Sequence, residues 1–152
     1  MRSMPEDAHE VYRRYLSAVV LHGQASAAAV GLGATDLYAI NVLQLSGPMT
    51  SGRLAALTGL TTGATTRLID RLERAGHVRR VPDPADRRKV VIEHVSRPIG
   101  LDEAVDPARQ KVGEILAGYS PDQLATLFDY FRRAARAYQE ATEELRTADD
   151  NG

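Results

Sequence analysis

Arginine is the residue type with the widest chemical reach in this chain, and its placement is uneven. Between Thr50 and Pro98 there are ten Arg or Lys residues and five Asp or Glu, a local charge of +5 inside a chain of formal net charge −1. The remainder holds nine basic and fifteen acidic residues. A guanidinium stays charged and matches the fork of a phosphate or carboxylate. Affinity for a polyanion follows the local field rather than the total charge, so the basic middle suits phosphate. Threonines interleave with these arginines at Thr61, Thr62, Thr65 and Thr66. The hydroxyls and methyls of Thr62 and Thr66 can read the edges of bases. The chemistry on offer is recognition of double-stranded DNA.

Bond-making chemistry has no comparable residues. The four histidines (His9, His22, His77, His94) lack metal-ligand spacing such as His-x-x-x-His. No nucleophile elbow, P-loop or paired-carboxylate arrangement occurs, and Asp149-Asp150 reads as a tail. With no cysteine there is no disulfide, thiolate metal site or thiol switch. These features predict no enzyme activity, no metal and no cofactor. A chain of 152 residues suits one domain with a real core. Neither a membrane-length apolar run nor a secretory h-region occurs, so a cytoplasmic protein without a membrane partner is expected.

The elements that must position these side chains can be read from periodicity. Val11, Tyr15, Ala18, His22, Ala25 and Ala29 form one stripe of a long helix over about 6–30. Gly31-Leu-Gly33 ends it, since no strand precedes these glycines to make a phosphate loop. A helix over about 35–45 opens at a Thr35/Asp36 cap and turns Leu37, Ile40 and Leu45 inward. Thr50 caps a short helix carrying Leu54, Ala55 and Leu57 inward, and Thr61 caps the next, over about 62–75, which Gly76 closes. Residues 77–81 and 89–95 alternate or run β-branched and read as two strands around the polar loop Pro82–Arg88. Helix returns over about 101–118. A last helix opens at the capping box Ser120-Pro-Asp-Gln123 and carries Leu124, Leu127, Phe128, Phe131, Ala135 and Tyr138 on one side. Residues 147–152 read as frayed.

This order, a helix–turn–helix followed at once by a basic hairpin, is the plan of a DNA reader with a wing. Thr65, Leu68, Ile69 and Leu72 share the apolar face of the second helix. Gly63, Thr66, Arg67, Asp70, Arg71 and Arg74 fall opposite. The small residues of its first turn let the helix seat deeply in a major groove. The candidate DNA contacts are Arg53, Thr62, Gly63, Thr65, Thr66, Arg67, Arg71, Asp86, Arg87, Arg88 and Lys89. Arg53 and Arg67 are the expected phosphate clamps. Asp86 and Arg88, two apart in extended chain, project to one side, so the carboxylate braces a guanidinium aimed at a minor groove. Arg79 and Arg80 at the strand base read equally well as DNA contacts or as structural residues. The rival reading is a protein–protein module whose arginine face meets an acidic partner.

Leu54-Ala-Ala-Leu-Thr-Gly-Leu60, Thr65-Arg-Leu-Ile-Asp-Arg-Leu-Glu-Arg-Ala-Gly-His-Val-Arg-Arg80 and Asp83-Pro-Ala-Asp-Arg-Arg88 resemble the MarR family of bacterial transcription regulators. That resemblance implies a mainly α winged helix-turn-helix whose N- and C-terminal helices interleave into a dimerisation domain. Residues 1–33 would then form the N-terminal dimerisation helix, 34–98 the DNA-binding region, 99–147 the C-terminal helices and 148–152 a flexible tail. It also implies a homodimer on a pseudo-palindromic operator, often a repressor released by a small phenolic or otherwise lipophilic effector. Tyr12, Tyr15, His22, Tyr38 and Phe128 are the candidate pocket residues between helical base and winged lobe. One departure stands out: His94-Val-Ser-Arg-Pro-Ile-Gly100 replaces the usual Leu-Thr-x-x-Gly step into the next helix. The absence of cysteine sets the chain apart from members that sense oxidation through a thiol.

Overall fold

The computed structural model describes residues 5–149. Its elements run α1 (Ala8–Ala29), α2 (Ala34–Ser46), α3 (Ser51–Thr58), α4 (Thr62–Arg74), β1 (Val78–Pro82), β2 (Val90–His94), α5 (Leu101–Ala117) and α6 (Pro121–Asp149). The chain divides into two compact units between Val105 and Asp106, within α5. The fold class is the expected one, mainly α with one antiparallel hairpin as wing.

In the first unit three helices and the wing share one core. Ala39, Ile40 and Leu43 of α2 meet Leu54 of α3 and Leu68, Ile69 and Leu72 of α4. Val78 and Ile92 bring the hairpin into the same cluster. The 3- and 4-residue spacings place each helix's apolar residues on one face. A helix of 13 residues is marginal alone, so this burial rather than propensity holds α4 in place. Leu45 is an exception to the sequence reading. It lies on the far side of α2, 79% exposed, and Val42 and Leu43 take the inward positions.

The turns follow their local chemistry. Thr50 Oγ1 accepts from the Arg53 N–H, and Thr61 Oγ1 accepts from the Ala64 N–H, each at 3.2 Å. Gly59 (φ +72°) ends α3 in the left-handed region, which permits the tight turn between the two helices. Gly76 (φ +80°) does the same after α4, and the His77 N–H then bonds the Leu72 carbonyl. At α2 the expected Thr/Asp cap is absent. Gly33 takes the N-cap position without a side-chain bond, and Asp36 is buried instead.

β1 and β2 pair antiparallel in the register Val78↔His94 to Pro82↔Val90. Met49, between α2 and α3, exchanges two backbone hydrogen bonds with Ile92 (2.7 and 3.1 Å), so β2 is gripped on its outer edge. After β2 the unusual junction is an ordered one. The His77 carbonyl accepts from Val95 and Ser96, Ser96 Oγ donates to the Gly76 carbonyl at 2.8 Å, and Gly100 (φ +83°) turns into α5.

α1 buries only Ser26 and Ala27, leaving Val11, Tyr15, Val19, Val20 and Leu21 exposed. In the second unit Ser120 and Gln123 form the expected reciprocal capping box at the start of α6. No residue of α6 is buried, and Tyr130, Tyr138 and Leu145 are each at least half exposed. Helix continues through Thr147 to Asp149, where the sequence reads as frayed, and residues 150–152 lie outside the described ones. No single described helix is long and apolar enough to cross a membrane.

Ile69 is 1% exposed at the centre of this core. Replacing it with alanine is expected to cost about 2–5 kcal/mol in denaturant unfolding. A loss below about 0.5 kcal/mol, the range of neutral surface changes, would mean that α4 is not anchored there.

Candidate nucleic-acid interface

Core packing of one face of α4 dictates what the other face offers. With Thr65, Leu68, Ile69 and Leu72 inward, Thr62, Gly63, Thr66 and Arg67 face solvent. Thr65, a DNA candidate by sequence, is 2% exposed, and its hydroxyl donates to the Thr61 carbonyl at 2.9 Å. It belongs to the core. The Thr66 hydroxyl donates to the Thr62 carbonyl at 3.0 Å, which leaves its lone pairs and methyl facing outward. Beyond its chain neighbours and the helix's own backbone, no described atom lies within 4 Å of where a Cβ on Gly63 would stand, so the first turn of α4 is slim and open.

The arginines separate into answered and unanswered charges. Arg53, at the start of α3, and Arg67 make no intramolecular ion pair among the described residues. Arg71 differs from expectation: its Nη2 donates to Asp36 Oδ1 at 2.8 Å and its Nε to Asp36 Oδ2 at 3.4 Å. That hydrogen bond and the nearby negative charge raise the Arg71 pKa above its usual value, so it stays protonated. Its guanidinium is committed to the buried Asp36 of α2 rather than free on the reading face. Asp36 is the functional neighbour that sequence reasoning missed, because a pair 35 residues apart leaves no local spacing signal.

At the base of the wing both arginines are paired. Arg79 donates from Nε to Glu93 Oε2 at 2.6 Å, its cross-strand partner in the register. Arg80 reaches Asp70 and Glu73 of α4 at 2.6 and 2.7 Å.

The wing tip carries the brace expected of Asp86 and Arg88, but by a different route. The chain there is a turn, not extended strand: the Lys89 N–H bonds the Asp86 carbonyl at 2.9 Å, and Asp86 Oδ1 accepts the Arg88 N–H at 3.1 Å. Asp86 then holds the Arg88 guanidinium side-on, Nε–Oδ1 3.1 Å and Nη2–Oδ2 3.4 Å. The Asp83 N–H closes the loop on the Lys89 carbonyl. Arg88 is left 91% exposed on a stiffened stalk, with Arg87 and Lys89 exposed beside it. Such a side chain loses little further freedom on entering a groove.

A cleft of about 470 Å³ also lies in the first unit, formed by α1, α2 and the start of α5. Val19, Val20, Leu37, Ile40, Leu101 and Val105 give it apolar walls, with Gln24, Asn41, Gln44 and Arg97 as polar points. Of the five aromatic or histidine candidates, only Tyr38 lines it. Its hydroxyl donates to the Leu57 carbonyl at 3.4 Å, a long bond to the end of α3. Tyr15 is exposed on α1, and His22 meets Ser26 within the same helix. The Tyr12 hydroxyl is buried with no hydrogen-bond partner among the described residues, and Phe128 stands edge-on to Phe131 in the second unit.

The geometry predicts distinct consequences for the braced Arg88 and the unpaired Arg53. Arg88→Ala should weaken specific binding by about 1–3 kcal/mol, as for one lost groove contact. Arg53→Ala should weaken all duplexes alike and make the salt dependence shallower by about one unit per protomer. Titrations of specific and random duplexes at several salt concentrations would show both. Equal behaviour of the two variants would refute the division between groove reading and phosphate clamping.

Comparison with known proteins agrees with this geometry. The profile of the MarR family matches residues 30–89, which span α2, α3, α4, β1 and the wing tip. The chain is 36% identical over 144 residues, 94% of each chain, to the uncharacterised HTH-type transcriptional regulator YcgE of Bacillus subtilis. Among solved structures, a MarR family protein from Bacillus stearothermophilus superposes with a TM-score of 0.66 at 22% identity, covering 90% of this chain and 99% of the other. A mutant of MarR from E. coli, complexed with operator DNA, gives 0.51 at 19% identity over 86% and 99%. A helix-turn-helix with an exposed reading turn and a braced wing arginine, together with these likenesses, identifies the chain as a DNA-binding transcription regulator of the MarR family.

Proposed function

We propose that this regulator works in the cytoplasm as a homodimeric repressor that grips a pseudo-palindromic operator and releases it when a small lipophilic or phenolic effector binds. One observation carries the reading. The first unit presents Thr62, Gly63, Thr66 and Arg67 and an Asp86-braced Arg88 on one core-anchored body, a pair of groove readers with their phosphate clamps.

Dimerisation is supported by what the single chain leaves uncovered. Val11, Tyr15, Val19 and Val20 of α1, and Tyr130, Tyr138 and Leu145 of α6, are each at least half exposed. Apolar faces of this extent are characteristic of a surface that pairs. Two copies of the reading unit, related by a twofold axis, would address half-sites about one helical turn apart. The effector reading is supported by the cleft between α1, α2 and α5. Its volume and apolar walls with a few polar points suit a small amphipathic molecule, and α2 carries both its lining and the core face behind α4. Repression rather than activation is what the family resemblance implies.

Selection of bound duplexes from a random library by the purified protein, at about 0.15 M salt, tests the proposal, since phosphate-only binding is weak there. The expected result is an inverted repeat with half-sites about 10 base pairs apart, centre to centre. Enrichment of single half-sites would refute the dimer, and no enrichment would favour an arginine face that meets an acidic protein.

A further inference from the structure

Arg80 sits in the middle of β1, and no DNA role fits its contacts. Its Nη2 donates to Asp70 Oδ1 at 2.6 Å and its Nη1 to Glu73 Oε1 at 2.7 Å. Its backbone N–H donates to Glu73 Oε2 at 3.0 Å. Asp70 and Glu73 stand one turn apart on α4, so three hydrogen bonds join the wing strand to the reading helix. One of them is made by the backbone and therefore fixes the strand itself, not just a side chain. The neighbouring Arg79 offers a contrast. It pairs with Glu93 inside the hairpin and so cannot fix the hairpin relative to α4.

Resting on the DNA-binding reading of the site, we propose that Arg80 is a positioning residue. It sets the angle between α4 and the wing, so that the Thr62–Arg67 turn and Arg88 meet adjacent grooves of one duplex at the same time. Met49 holds the opposite edge of the hairpin through Ile92, so the wing is gripped from both sides and only its tip projects. Two linked readers gain from each other only when geometry lets both engage, and each degree of slack is lost affinity. Arg80 also answers two carboxylates on the reading helix that would otherwise repel the phosphates. Its hydrogen bond to Asp70, with further help from Glu73, raises its pKa despite partial burial, so the guanidinium stays charged. The three side chains are a third to a half exposed, so the cluster contributes little to folding itself. Its removal is therefore expected to show in DNA affinity and not in thermal stability.

The test compares Glu73→Gln, Arg80→Gln, Arg88→Ala and the Arg80→Gln/Arg88→Ala double variant in the full-length chain. Each is measured on a selected operator duplex across a salt series, with a thermal melt of each variant. Charge alone says that Glu73→Gln, having lost a negative charge, should bind DNA more tightly. The proposal says that it binds roughly tenfold more weakly, with an unchanged melt, because the wing is loosened. It also says that Arg88→Ala costs less in the Arg80→Gln background than in the wild type, since a mispositioned wing has less to lose. Equal or tighter binding by Glu73→Gln would overturn the proposal. So would independent losses from Arg80 and Arg88 with a salt slope shallower by about one unit per protomer, the mark of a phosphate contact by Arg80 itself. Should Arg80→Gln fail to fold, Glu73→Gln decides alone. Failure of the wild type to bind any duplex would instead overturn the DNA-binding reading, and this proposal with it.

Discussion

A guanidinium within hydrogen-bonding distance of a carboxylate already has its counter-charge, whereas one without must find it outside the protein. That constraint sorts the basic middle of this chain. Arg71, Arg79 and Arg80 are answered by Asp36, Glu93 and by Asp70 with Glu73. Among the described residues, Arg53, Arg67, Arg74, Arg87 and Lys89 have no carboxylate partner, and Arg74 donates only to the Asp70 backbone carbonyl. Arg88 is an intermediate case: Asp86 holds one edge of its guanidinium, and the rest of the side chain stands in solvent. The same residue type therefore builds the scaffold, arms the wing tip or keeps an unanswered charge, according to where its nearest acid lies.

The paired arginines share a direction as well. Each joins α4 or the wing to another element or strand, and so tightens the frame that carries the free ones. Asp36–Arg71 joins α2 to α4, Arg79–Glu93 closes the hairpin, and Arg80 joins hairpin to helix. Beneath them, Ile40, Leu43, Leu54, Leu68, Ile69 and Leu72 exclude water from the helix–helix contacts. Exposed ion pairs add little to stability, and the apolar core supplies most of it. The ion pairs contribute orientation, which matters because a reader of two grooves must present both contacts in register with the duplex. The α2 helix links this frame to the apolar cleft, since Leu37 and Tyr38 line the cleft while Asp36, next in sequence, holds Arg71.

Much of this was legible in the sequence because it is written in short-range spacing. Thr50, Thr61 and the Ser120/Gln123 pair announce helix starts by rules that span three residues, and the structure has each of those bonds. The periodicity of Leu68, Ile69 and Leu72 determines the inward face of α4, and with it the outward one. The Asp86–Arg88 contact was legible for the wrong reason, since a turn rather than an extended strand brings the two together. What failed was of longer range. Asp36 reads as a helix cap because that is the commonest use of an acid at such a position, and only packing of α2 on α4 reveals its partner. Arg80 reads either way until the strand is placed against the helix. Thr65, a base contact by residue type, shares the inward side with Leu68 and Leu72, as its own periodicity indicates. The cleft draws on three separated elements, so no run of sequence contains it, and aromatic residues chosen by type alone match it only at Tyr38.

The central claim is that carboxylate pairing decides which cations meet DNA, and the salt dependence of operator binding measures it most directly. Five cations per protomer without a carboxylate partner, Arg53, Arg67, Arg74, Arg87 and Lys89, would give ten phosphate contacts in the proposed dimer. The slope of log K against log salt should then be about −9. If Arg71, Arg79 and Arg80 also neutralised phosphates, the slope would steepen to about −14. A slope near that value would contradict the account, because it would mean that the paired arginines abandon their carboxylates for the duplex.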